Sequence, residues 1–175
     1  MENILIGQKP AGVNLQVYGN NNVIRFGKNV RFHGQILLGY VDSPVNNAEL
    51  SIGDNTTAEG CNIWLFDDNS KCIIGSDCLI SNNVDIWASD THTIFNADNK
   101  CVNFSTGVII HDHVWIGQHV KITKNTEIAE NSVVGIGSIV TKKFTEPGSA
   151  IAGNPACVVK HIHNWSRLRP NQFIA

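Results

Sequence analysis

Apolar residues return every six positions along most of the chain. From Ile110 the series runs Ile110, Ile116, Ile122, Ile128, Val134 and Val140. The same step occurs at Ile74, Ile80 and Ile86, at Ile52 and Ala58, and at Ile24, Val30 and Ile36. All but Ala58 are β-branched, the types that favour strands. A helix does not give this period, because six residues turn it through about 600° and the stripe rotates away. A simple alternating strand would mark i+2 and i+4 equally.

The residues between these aliphatics complete the pattern. The fourth position after each is mostly small or β-branched: Thr56, Cys78, Val84, Val114, Val120, Thr126, Ser132, Ser138. The third position reads Asn55, Cys61, Asp77, Asn83, His113, His119, Asn125, Asn131, Gly137, Lys143. Apart from Cys61 and Lys143 these are Asn, Asp, His or Gly, which best tolerate left-handed backbone angles. Short strands and positive-φ turns alternating every six residues make a chain with regular corners. Three corners close a triangle, so roughly eighteen residues make one coil with three short strands. Ile110 is then predicted to stack on Ile128, Ile116 on Val134 and Ile122 on Val140, in parallel pairing with the coils above and below.

The register breaks between Ile36 and Ile52, between Trp64 and Ile74, and over a longer excursion at residues 93–107. Long excursions from a repeat are usually functional or flexible. The repeat ends after Lys143 at TEPGS. The expected organisation is one coiled domain over residues 1–160 and a short C-terminal tail over 161–175.

Composition narrows the function. The chain has 175 residues, a hydrophobic fraction of 42% and a formal net charge of −2, so it carries a core and no general nucleic-acid footprint. It contains no apolar run long enough to span a membrane, and its start lacks the basic and apolar regions of a secretion signal, so the expected location is the cytoplasm. The five cysteines are odd in number and form no CxxC, which favours free, mostly buried thiols.

Several segments resemble one family. ASDTHTIFN, Ala88 to Asn96, resembles the D-x-H segment of sugar and polysaccharide O-acetyltransferases built from hexapeptide repeats. VWIG at Val114–Gly117, then GIGSIVTKK, then AGNPACVVK at Ala152–Lys160 follow in the family's order, over roughly residues 50 to 165. The resemblance implies a left-handed parallel β-helix, an exception to the right-handed crossover rule. It implies acetyl-CoA as co-substrate, direct transfer in a ternary complex, and no required metal.

By the same resemblance His92 is the general base. A neutral imidazole can take the proton of a hydroxyl as it attacks a thioester. Asp90 either orients that imidazole or caps a turn. Trp115 resembles the aromatic residue lining the acceptor pocket of galactoside acetyltransferases, or packs on a coil face. Asn62 falls near an acceptor-binding asparagine. On the coenzyme side the backbone amide of Gln118 matches the oxyanion contact, and Gly135 and Ile136 give a surface for close approach. Thr141 and Lys142 match positions near the adenosine phosphate, and Lys160 one near the coenzyme's phosphates, although lysines are also ordinary surface residues. Cys157 stands where the family commonly has a basic residue, leaving that contact absent or supplied by Lys143 or Arg167. His111 and His113 form an H-x-H that invites a zinc reading, but the spacing does not resemble a three-histidine site.

The expected activity is O-acetylation of a sugar or glycan hydroxyl, in a homotrimer with sites at subunit interfaces. The polar excursion (Asn96, Asp98, Asn99, Lys100, Asn103) and the rings of Phe95 and Trp115 suit a saccharide. The alternatives are N-acetylation of an amino sugar or antibiotic on the same scaffold, and a catalytically silent β-helix.

Overall fold

A computed structural model describes residues 2–173. Three parallel sheets form the sides of a triangular prism. The first comprises Ile4–Ile6, Val23–Phe26, Glu49–Ile52, Lys71–Ile74, Val108–Ile110 and Thr126–Ile128. The second comprises Arg31–Phe32, Thr57–Ala58, Leu79–Ile80, Trp115–Ile116, Val133–Val134 and Ser149–Gly153, closed by Ala156–His161 in the one antiparallel pairing among the sheets described. The third comprises Val13–Val17, Gly34–Leu38, Cys61–Leu65, Val84–Trp87, Lys121–Ile122 and Ile139–Val140. This is the expected all-β, left-handed β-helix of hexapeptide repeats. Among the described residues, no helix is long and apolar enough to cross a membrane.

The predicted stacks are present: Ile110 pairs with Ile128, Ile116 with Val134 and Ile122 with Val140. Their side chains are fully buried, as are Val114, Val120, Ser132 and Ser138 at the fourth position. Truncating one such aliphatic, for example Ile86→Ala, costs about 2–5 kcal/mol because the prism has no other core to collapse into.

Every predicted left-handed corner residue has positive φ: Asn55, Asp77, Asn83, His113, His119, Asn125, Asn131 and Gly137. Cys61 and Lys143, whose side chains disfavour that region, do not. Asparagines serve the corners twice. Their side chains also link successive coils, as when Asn29 Nδ2 donates to Asn55 Oδ1 at 3.1 Å and Asn46 Oδ1 accepts from Asn20 N at 2.9 Å.

The early register differs from expectation by two residues. The aliphatic column on the first sheet runs Phe26, Ile52, Ile74, Ile110, Ile128. Ile24 pairs instead with Leu50. Val30 correspondingly takes the fourth position after Phe26. Both positions point inward, so an aliphatic-only reading follows the wrong one where the repeat residue is Phe. A shorter third hexapeptide returns Ile36 to register with Ile63 and Ile86. Ile63 therefore fills the core, while the Trp64 ring stacks on Trp87 at 4.4 Å between centroids.

Cys61, Cys72 and Cys78 are buried, Cys101 partly so, and all five cysteines are free. Burial pushes the Cys72 thiol up to about 12 and Cys78 up to about 11, so neither ionises readily.

Residues 162–173 lie against the second side of the prism. The Trp165 ring stacks on His113 at 4.3 Å, and its indole N–H donates to the His113 carbonyl at 2.8 Å. Arg167 donates to Thr57 Oγ1 and the Cys78 carbonyl, each at 2.8 Å, and to Asp77 at 3.2 Å.

Candidate functional site

All three register breaks stack on one edge of the prism. The first follows Gly34–Leu38, the second Cys61–Leu65 and the third Val84–Trp87, each on the third sheet. The chain there leaves for the first sheet of the next coil. One corner therefore carries residues 39–48, 66–70 and 88–107 on successive coils, and every other corner stays tight.

The longest excursion is a small hairpin. Val102 N donates to the Ile94 carbonyl at 2.9 Å, and Phe95 bridges Cys101. The Asn96 side chain closes its tip by accepting from Asp98 N and Lys100 N. Asn103 ties its base. Its Oδ1 accepts from Ile94 N at 2.9 Å, and its Nδ2 donates at 2.8 Å both to Asp90 Oδ2 and to the His92 carbonyl. Two of the polar side chains expected to meet a sugar are thus committed to shaping the loop.

His92 stands at the mouth of this hairpin, exposed. Among the described residues, no hydrogen bond engages its ring. It lies between two adjoining depressions of about 600 and about 480 Å³. The larger extends toward the N-terminal coils, past Phe66, Asp67 and Asp68. The smaller is lined by Trp87, Ile94 and Thr123 and faces the C-terminal coils. Thr123 N donates to the Val140 carbonyl at 2.9 Å, which brings Thr141 and Lys142 to the same edge one coil further on.

Asp90 does not reach the His92 ring. Its carboxylate accepts from Asn103 and pairs with Lys124 Nζ at 2.8 Å. Partial burial pushes the Asp90 carboxyl up, but the hydrogen bonds from Lys124 and Asn103 outweigh this and hold it below the usual carboxylate range. Lys124 also donates to the Asn103 carbonyl, so the cation braces both ends of the excursion. Sequence spacing did not point to Lys124 or to the bracing role of Asn103, because both act through contacts between residues nine or more apart in the chain.

The other candidates lie elsewhere. Asn62 is on the outer side of the third sheet, donating to Asp85 Oδ1 at 3.0 Å. Trp115 is on the second sheet, 6.1 Å from Trp165, and lines a depression with Leu168 and Phe173. Gln118, Gly135 and Ile136 share the corner between the second and third sheets, where Gly137 N donates to the Gln118 carbonyl. Ile136 is 70% exposed there. Lys142 sits 5.5 Å above the Phe144 ring, and Lys142 and Lys143 border a depression of about 450 Å³. Lys160 pairs opposite Ala150 on the antiparallel strand. Arg167, one candidate for the contact missing at Cys157, has its guanidinium taken up by the coil stack. His111 pairs with Glu127 and His113 with Asp77, so the H-x-H side chains diverge to different partners. A single chain thus brings His92, Asp90, Thr141 and Lys142 to one edge and leaves Trp115, Gln118 and Lys160 on other sides.

No family model matches the chain. A curated relative, the polysialic acid O-acetyltransferase of Escherichia coli O1:K1 / APEC, is 35% identical over 153 residues, which are 87% of this chain and 47% of the relative. The chain spans about half the length of the curated relatives it matches. Among solved structures, the polySia-specific acetyltransferase NeuO matches with a TM-score of 0.73 at 28% identity, covering 96% of this chain and 80% of that one. Galactoside acetyltransferase in complex with coenzyme A matches at 0.52 and 27%, covering 75% and 66%. The six-residue period, the corners, the motif order and these likenesses converge: the chain is a left-handed β-helix of hexapeptide repeats, similar in sequence and fold to acetyltransferases of that build.

Proposed function

We propose that this chain is an acetyl-CoA-dependent O-acetyltransferase acting on a glycan hydroxyl, with His92 as general base. The observation that carries the reading is an exposed imidazole with no described partner, set between two depressions where all three excursions converge. The relatives named for O-acetylation of polysialic acid and the coenzyme A complex of a similar fold support it.

In this reading the acceptor hydroxyl donates its hydrogen to a neutral His92 nitrogen while its oxygen attacks the thioester carbonyl. The tetrahedral oxyanion accepts from the backbone N–H of Gln118. Collapse expels the thiolate of coenzyme A, which takes the proton back from the imidazolium. Asp90 is a positioning residue, acting through Asn103, which also holds the His92 carbonyl. Thr141, Lys142 and Lys160 bind the coenzyme's adenosine and phosphate end, and Gly135 and Ile136 flank its pantetheine arm. Trp115 and Asn62 contact the acceptor. Residues on different sides of one prism act together when a second subunit faces the first, so we assign a homotrimer with sites shared between neighbours.

Thiol release from acetyl-CoA across a glycan panel, followed by mild alkali on the product, tests the activity. An acetyl group lost in alkali is the ester expected. An alkali-stable acetyl group would mean an amine acceptor, and absence of transfer to every glycan would reject the reading.

A further inference from the structure

A strip of aromatic rings runs down the excursion edge from His92 toward the N-terminal coils. Trp87 lines the smaller depression beside His92. The Phe66 ring lies 6.1 Å from it, one coil lower. Tyr40 stacks on Phe66 at 4.8 Å, nearly parallel, one coil lower again. The register break after Leu38 holds Tyr40 there, since Tyr40 and Ser43 exchange backbone hydrogen bonds in a tight loop. Such a stack is worth little as core, because Tyr40 remains 48% exposed. Phe66, in the middle of the strip, also lines the larger depression.

Among the described residues, three carboxylates, Asp67, Asp68 and Asp90, line this stretch against the one cation Lys124, so its charge is net negative. Asp90 is balanced by Lys124. Asp67 lines the depression, and among the described residues its carboxylate has no hydrogen bond or ion pair. Asp68 beside it accepts from Asn46 N at 2.7 Å. A chain bearing a carboxylate on each residue would meet these groups at short range, where repulsion is poorly screened.

We propose that the Tyr40–Phe66–Trp87 strip is an acceptor track that seats an uncharged glycan chain along the coil stack, and that Asp67 and Asp68 discriminate against polyanionic glycans. Pyranose rings present apolar C–H faces that stack on aromatic rings, and coil-to-coil repetition supplies such rings at intervals along one line. His92 then meets a hydroxyl at the upper end of the seated chain. This rests on the glycan O-acetyltransferase reading and adds the class of acceptor.

The test uses the full chain with neutral polysaccharides, their monosaccharide units and polysialic acid, reading thiol release and product mass. A neutral polymer is expected to outperform polysialic acid by roughly tenfold or more. Tyr40→Ala should raise KM for that polymer about fivefold, and leave KM for acetyl-CoA and turnover of the monosaccharide unchanged. Tyr40→Phe, which keeps the stack, should behave as the parent. Asp67→Asn, an isosteric change, should narrow the gap to polysialic acid. Polysialic acid as the best acceptor, or a Tyr40→Ala defect shared equally by coenzyme and polymer, overturns the track and leaves glycan transfer intact. No transfer to any glycan would overturn the glycan reading and the track with it.

Discussion

The side-chain amide of Asn103 donates at 2.8 Å to the carbonyl oxygen of His92, eleven residues earlier in the chain. The same nitrogen donates to Asp90, and the same side chain accepts from Ile94. One residue therefore fixes both the backbone that carries the imidazole and the hairpin beyond it.

Asn103→Ala should lower kcat by roughly tenfold, since it frees three hydrogen bonds worth about 1 kcal/mol each and lets His92 wander from its attack geometry. KM for acetyl-CoA should stay put. Faster hydrogen exchange at Ile94 and Val102 would show that the clip is the cause. Unchanged exchange with a slower enzyme would separate Asn103 from positioning.

His92→Ala should cut turnover by roughly 100-fold or more, the usual contribution of a general base. Calorimetry should find coenzyme affinity nearly unchanged, because the ring makes no described contact that the fold needs. Near-normal turnover would remove His92 from the mechanism.

Lys142→Ala combined with Lys160→Ala should raise KM for acetyl-CoA and flatten its dependence on ionic strength. Acetyl-pantetheine, which lacks the adenosine phosphates, should be used as poorly as before. An equal loss with both donors would mean that the lysines, with Lys142 over Phe144, act structurally.

Mixing His92→Ala chains with Lys142→Ala/Lys160→Ala chains should restore activity above that of either alone, if one subunit supplies the base and its neighbour the coenzyme contacts. Light scattering should report a trimer. A monomer with full activity would contradict shared sites.

The carboxyl of Asp90 is held below its usual range, so its pairing with Lys124 is fully present above the unfolded-state pKa and is lost as pH falls through the lowered folded value. Acidification through the usual carboxylate range should therefore leave the hairpin clip intact, and only stronger acid should loosen it. Trp87 fluorescence against pH, compared with Asp90→Asn, reads this directly. Loosening near neutral pH would assign the clip to another group.

The six-residue period, the corners and the core were legible in the sequence because they are local. An inward aliphatic at i and a left-handed residue at i+3 recur wherever the backbone turns, so Ile110–Val140 and Asn55–Gly137 could be placed without coordinates. Period alone was less sure in the first coils, where Phe26 holds the column given to Ile24. His92 and Asp90 were visible as a motif, while their partners Asn103 and Lys124 were not. What stacking decided was adjacency across coils: three insertions far apart in sequence follow the same side of the triangle, and each coil adds a full turn that returns them to one edge. That return puts Tyr40, Phe66 and Trp87 in line, turns Asp90 toward Lys124, and sends Trp115 to another side. Sequence determines where the chain must turn; only closure of the prism determines what each turn comes to lie upon.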